Sequence, residues 1–121
     1  MQRSDHHDWT SETYVDEWVR RQQAEDPTRA ERFQLMCDLF PFPPDATVTI
    51  LDIGAGYGPV SRFILDRYPH ATCIAQDGSE PMLNRARELM ARSSWRGMGA
   101  LQDPSVRPLQ DELAAKTGWT L

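Results

Sequence analysis

Polar and apolar positions follow three rhythms along this chain, and each rhythm predicts an element. Tyr14, Val15, Trp18 and Val19 share one face of a 3.6-residue period. They predict a helix over 11–24, with Thr10 or Ser11 as its cap. A second helix is expected from Asp26-Pro27, because Asp26 can cap and a proline in the first turn forfeits no needed N–H. Its apolar stripe is Phe33, Met36, Leu39 and Phe40, and Pro41, Pro43 and Pro44 end it. Residues 47–53 then break the helical rhythm with a β-branched, nearly continuous apolar run that suits a strand buried on both faces of a parallel sheet.

Helical spacing returns over 59–68 (Val60, Phe63, Ile64, Tyr68) until Pro69 stops it. Ala71 to Gln76 reads as a short second strand. A further helix is expected over 80–92, capped by Ser79, with Pro81 in its first turn. Met82, Leu83, Ala86, Leu89 and Met90 line one side of it, and Glu88 and Arg92 make an i,i+4 pair. Beyond Arg92 the rhythm fades. Gly97, Gly99, Pro104 and Pro108 punctuate a stretch with room for one short strand around 98–101 and a short helix over 109–117, stopped by Gly118. The order strand, helix, strand, helix implies a right-handed parallel crossover and an α/β fold.

Composition narrows the function. The 121 residues suffice for one domain, and 40% of them are hydrophobic. The net charge of −5 argues against a nucleic-acid binder, whose footprint is basic. No apolar run approaches a membrane span, and residues 1–8 lack the apolar stretch of a signal peptide. Cys37 and Cys73 show no metal spacing. They read as two buried, reduced thiols, with a disulfide between them as the alternative, and the expected location is the cytoplasm.

The candidate chemistry lies at Asp52-Ile53-Gly54-Ala55-Gly56-Tyr57-Gly58, where the apolar strand ends and a helix begins. Open α/β sheets bind ligands at the carboxyl ends of their strands. Glycines at alternate positions let the backbone turn sharply and approach a ligand without a Cβ in the way. Asp77 lies just past the second strand, 23 residues after Gly54, where a carboxylate can accept from both hydroxyls of a ribose. Pro59 occupies the place of the third glycine in the dinucleotide fingerprint, which argues against a nicotinamide or flavin enzyme. No Gly-Lys pair exists for a phosphate-binding loop.

Two segments together resemble a known family. Val48 to Gly58 resembles the first motif of the Rossmann-like, class I S-adenosylmethionine-dependent methyltransferases, and Ala75-Gln-Asp77-Gly-Ser79-Glu-Pro-Met82-Leu83 resembles their second. The resemblance covers about residues 45–92. It implies S-adenosyl-L-methionine as cofactor and a partial doubly wound parallel sheet of two to three strands. On the family's pattern, Gly54, Ala55 and Gly56 lie against the cofactor's amino-acid end, and Asp52 orients its ammonium. Asp77 holds the ribose hydroxyls, and Gly78 and Met82 flank the adenine. The family usually has an apolar side chain where this chain has Gly78, which leaves more of the adenine contact to Met82. Gln102 or Asp103 is a weaker counterpart of the family's acid near the adenine amino group.

The expected organisation is a disordered tail over 1–10, an N-terminal helical cap over 11–44 and a truncated cofactor-binding domain over 45–121, irregular from about 93. Two or three strands cover only one side of residues 47–53. The other side is left as an edge open to self-association or a partner chain. The functional expectation is therefore an incomplete methyltransferase for a small-molecule acceptor, with no identifiable general base. The alternative is a non-catalytic module that pairs through that edge. His6 and His7 read as solvated rather than metal-binding, and His70 as exposed. Trp9, Tyr14 and Trp18 fit packing as well as closure over a substrate.

Overall fold

The computed structural model describes residues 7–91, 94–99 and 104–118. Helices α1 (Glu12–Gln23) and α2 (Asp26–Asp38) precede an alternating series: β1 (Thr49–Ile53), α3 (Pro59–Arg67), β2 (Thr72–Gln76), α4 (Glu80–Leu89) and β3 (Trp95–Met98). A 3-10 turn over Pro104–Val106 leads into α5 (Arg107–Thr117). The strands form one parallel sheet in the order β1-β2-β3, the partial Rossmann-like α/β arrangement with leading helices that the sequence implies.

Side-chain alternation divides the packing between the two sheet faces. On one face, Ile50 and Cys73 join Cys37, Ile64, Leu65, Tyr68 and Met90, so α2, α3 and α4 pack there. On the other, Leu51 and Ile74 join Met98, Val106 and Leu113 beneath α5. The capping expectations hold for Ser11 and Ser79, whose hydroxyls accept from the backbone N–H of Tyr14 and Met82 at 3.2 Å each.

Several expectations need correction. β1 is not buried on both faces: Thr49 and Ile53 are exposed, and only the middle three residues are half-buried. Among the described residues its sole strand neighbour is β2. The fully enclosed strand is β2, whose Cys73, Ile74 and Ala75 are completely buried. Asp26 is the first helical residue of α2 rather than its cap. Glu25 takes that place without a side-chain bond. Leu39 lies just past the end of α2 and is 78% exposed, so Cys37 replaces it in the packed stripe. The third strand arrives at 95–98 rather than 98–101, because its register is set by pairing with β2, from Cys73 opposite Trp95 to Gln76 opposite Met98. Helix α4 ends at Leu89, and Arg92 lies outside the described residues. Helix α5 begins two residues early, since Pro108 is tolerated in a first turn.

Candidate functional site

The bend between β1 and α3 depends on backbone that only glycine adopts readily. Gly54, Gly56 and Gly58 have φ of 69°, 61° and 90°. Their surroundings differ. A Cβ added to Gly54 would meet nothing within 4 Å, whereas one on Gly58 would lie 2.8 Å from Met90 Cε and 3.2 Å from Ala86 Cβ. Gly58 therefore lets the start of α3 press against α4, and Gly54 keeps an open face beyond the strand tips.

Three successive N–H groups of the bend are secured by the end of β2. Gly54 N–H donates to Gln76 Oε1 at 3.1 Å and Ala55 N–H to the Gln76 carbonyl at 2.9 Å. Gly56 N–H donates to Asp77 Oδ2 at 2.8 Å. The other Asp77 oxygen accepts from Ser79 N–H at 2.8 Å, so the carboxylate is fixed at both ends. Asp77 N–H in turn donates to the Met98 carbonyl, and Gln76 Nε2 reaches the Gly99 carbonyl at 3.4 Å. The tips of all three strands are thus joined.

Asp52 lies on the α3 side of β1. Ser61, fully buried, donates its hydroxyl to Asp52 Oδ2 at 2.7 Å, and Cys73 Sγ donates to Ser61 Oγ at 3.1 Å. Burial raises the Asp52 carboxyl above its ordinary value and the nearby Asp77 charge adds to that, while the Ser61 hydroxyl and backbone N–H oppose it. Burial also pushes the Cys73 thiol up to about 11, so it stays protonated and keeps its S–H to donate. Two carboxylates therefore flank one bend, an arrangement whose field favours a cation.

The expected site residues Asp52, Gly54, Ala55, Gly56 and Asp77 are brought together around this bend. Gly78 adjoins it and is exposed, with nothing within 4 Å of an added Cβ. Met82 faces inward: it is 3% exposed and packs with Val15, Val19 and Tyr57. Gln102 and Asp103 lie outside the described residues, as does His6. His7 bonds the Tyr14 hydroxyl at 3.0 Å, and His70 is exposed. Among the described residues no group of His, Cys, Asp and Glu could hold a metal, and no helix is long and apolar enough to cross a membrane. Cys37 and Cys73 are both buried free thiols.

The pattern of the sequence did not single out Gln76 or Ser61. The clue to Ser61 was Asp52 itself, a carboxylate inside an apolar strand, which needs a donor from the helix that covers it. Of the two readings of the N-terminal aromatics, the structure shows the packing one. Trp9 meets Tyr14 and Trp18 edge-on at 5.1 and 5.4 Å, and its carbonyl accepts from the Ser79 hydroxyl next to Gly78. Two cavities of about 320 and 270 Å³ lie between the helices, and Gln23, Tyr57 and Leu89 line both.

Comparison with known proteins gives a consistent picture. The family described as "Methyltransferase domain" matches residues 50–112. Trans-aconitate 2-methyltransferase of Azoarcus sp. (strain BH72) is 33% identical over 72 residues, which make up 60% of this chain and 27% of that protein. Malonyl-[acyl-carrier protein] O-methyltransferase of Neorickettsia risticii (strain Illinois) is 42% identical over 45 residues, 37% of this chain and 18% of that protein. The chain thus spans little more than a quarter of the longer match's partner, and less of the other. A TehB-like SAM-dependent methyltransferase from Corynebacterium glutamicum superposes with a TM-score of 0.58 at 14% identity, covering 74% of this chain and 46% of that one, which shows the shared fold.

Proposed function

The chain belongs to the methyltransferase domain family, class I and S-adenosylmethionine-dependent, and from that premise we propose that it binds S-adenosylmethionine for methyl transfer to a small molecule. The observation that carries the reading is the 2.8 Å bond from Gly56 N–H to Asp77 Oδ2, which brings the glycine bend and the second-strand acid into one site. The small-molecule part draws on the relative named for trans-aconitate. In this proposal residues 11–44 act as a helical cap and 45–121 as the cofactor-binding domain.

The residues suit such a ligand. The empty space beside Gly54 and Gly78 admits a molecule against bare backbone. A carboxylate has about four lone-pair sites, and Asp77 commits two of them to Gly56 and Ser79, which leaves two for the hydroxyls of a ribose. Asp52 would face the ammonium, with Gly54, Ala55 and Gly56 along the amino-acid end. Gly78 would border the adenine. Met82 would support that border from below, since α1 covers it. When bound, the cofactor supplies an electrophilic methyl group on a sulfonium. The chain's own part is to hold that group in line with an acceptor and to surround it with negative charge. None of the described residues around the bend stands ready as a general base.

Isothermal titration of the folded chain with S-adenosylhomocysteine tests this. Weak but saturable binding is expected, and Asp77→Asn should lower the affinity about tenfold, the scale of a lost hydrogen bond to a charged group. No heat of binding at millimolar ligand would overturn the reading.

A second reading rests on the β1 edge. Ile53 is 61% exposed and β1 has one strand neighbour among the described residues. In this alternative the domain is a non-catalytic module, or a subunit completed by a copy of itself or another chain that pairs there. A monodisperse monomer by light scattering would count against it.

A further inference from the structure

The buried chain of donors behind the glycine bend has a direction, and that direction matters for the site. Cys73 and Ser61 are both fully buried, on the face of the sheet that α3 covers. The thiol has one proton and gives it to Ser61 Oγ at 3.1 Å. A serine oxygen that accepts from one side keeps one proton of its own, and here that proton goes to Asp52 Oδ2 at 2.7 Å. The order Cys73 to Ser61 to Asp52 therefore leaves no alternative rotor position for the hydroxyl. Helix α3 lacks a capping side chain of its own, since its cap is Gly58, and the Asp52 carboxylate takes that place through the Ser61 backbone N–H.

We propose that Ser61, itself oriented by Cys73, is a positioning residue that fixes the Asp52 carboxylate in the rotamer that receives the cofactor's ammonium. The inference rests on the reading of the bend as a cofactor site and adds the requirement that reading left open. A carboxylate on a half-exposed strand, with a single neighbouring strand among the described residues, would otherwise sample several rotamers. One oxygen is held by the serine hydroxyl, and on this proposal the other is the one presented to the ligand. Ser61 never touches the ligand. It acts only on the ligand's amino-acid end, because Asp77 is held separately by Gly56 and Ser79.

The test uses two ligands that differ at that end, S-adenosylhomocysteine and 5′-methylthioadenosine, which has no amino acid. Titrations compare the full chain with Ser61→Ala, Cys73→Ala and Cys73→Ser. The expected result for Ser61→Ala is about a tenfold loss of affinity for S-adenosylhomocysteine with methylthioadenosine unchanged. Cys73→Ala should show a smaller loss of the same kind, and Cys73→Ser should restore wild-type affinity because it keeps a donor. Equal weakening of both ligands by Ser61→Ala would mean a general structural role and would overturn the proposal. So would unchanged affinity for both. If Ser61→Ala does not fold, the cysteine pair decides in the same way. A wild-type chain that binds neither ligand would remove the cofactor site itself. One that binds both, with no selective loss in any variant, would remove only the role of Ser61.

Discussion

β1 and β2 are both five residues long and have very different surroundings. β1, Thr-Ile-Leu-Asp-Ile, carries the larger apolar side chains, yet both its ends are exposed. β2, Thr-Cys-Ile-Ala-Gln, carries smaller ones and is buried through its middle. Hydrophobic content therefore did not decide which strand lies at the centre. What decided it is the number of neighbours: β2 hydrogen-bonds on both edges, to β1 and to β3, while β1 does so on one among the described residues. Side-chain alternation describes the two faces of a strand and leaves its two edges undescribed. An apolar run is compatible with either position.

The contrast can be broken most forcefully in the core. Ile74→Ala should cost about 2–5 kcal/mol of unfolding free energy, the range for a large-to-small change in a packed interior. Ile53→Ala, at an exposed strand end, should stay within about 0.5 kcal/mol. Chemical denaturation of both variants measures the difference, and comparable losses would mean that β1 is covered in solution.

The same opposition recurs inside the glycine bend at a smaller scale. Gly58→Ala places a methyl 3.2 Å from Ala86 Cβ and displaces the Met90 Cε that lies 2.8 Å away, in addition to its left-handed φ. It should cost about 1–3 kcal/mol beyond the backbone strain. Gly54→Ala meets only the strain, about 1–2 kcal/mol, and its main effect should fall on ligand affinity.

The smallest effect belongs to β3, the other outer strand among the described residues. Arg96 holds Glu112 of α5 with two bonds of 2.8 Å. The Arg96 hydrogen bond, with help from Lys116, lowers the Glu112 carboxyl from 4.5 to about 2. A carboxyl lowered by folding stabilises the fold above its unfolded value and loses that contribution as pH falls. The difference in denaturation midpoint between wild type and Glu112→Gln should therefore be constant above pH 4.5 and close as the pH drops toward 2. Both groups are partly solvated, so the difference should be modest. A pH-independent difference would show that the pair does not couple to folding.

The same logic explains what could be read in advance. The bend, Asp52 and Asp77 were legible because glycine and carboxylate at strand tips are local demands, set by φ and by the loop itself. The helical caps at Ser11 and Ser79 were legible for the same reason. The half-exposure of β1, the early start of β3 and the outward Leu39 were not, because each depends on what lies alongside in space. Ser61 and Gln76 belong to this second kind. Nothing in their neighbours along the chain marks them, and their partners are 9 and 22 residues away.

Gln76 carries a consequence of its own. Its carboxamide presents an oxygen to the first strand's turn and a nitrogen to the loop after the third. A group with unlike ends cannot be reversed without setting oxygen against oxygen and N–H against N–H. The rim above the sheet therefore behaves as one laced collar rather than three separate fingers. The side chain adds to the backbone bonds that already join the strand tips, and a glutamate there, though almost the same shape, would leave one of the two laces untied.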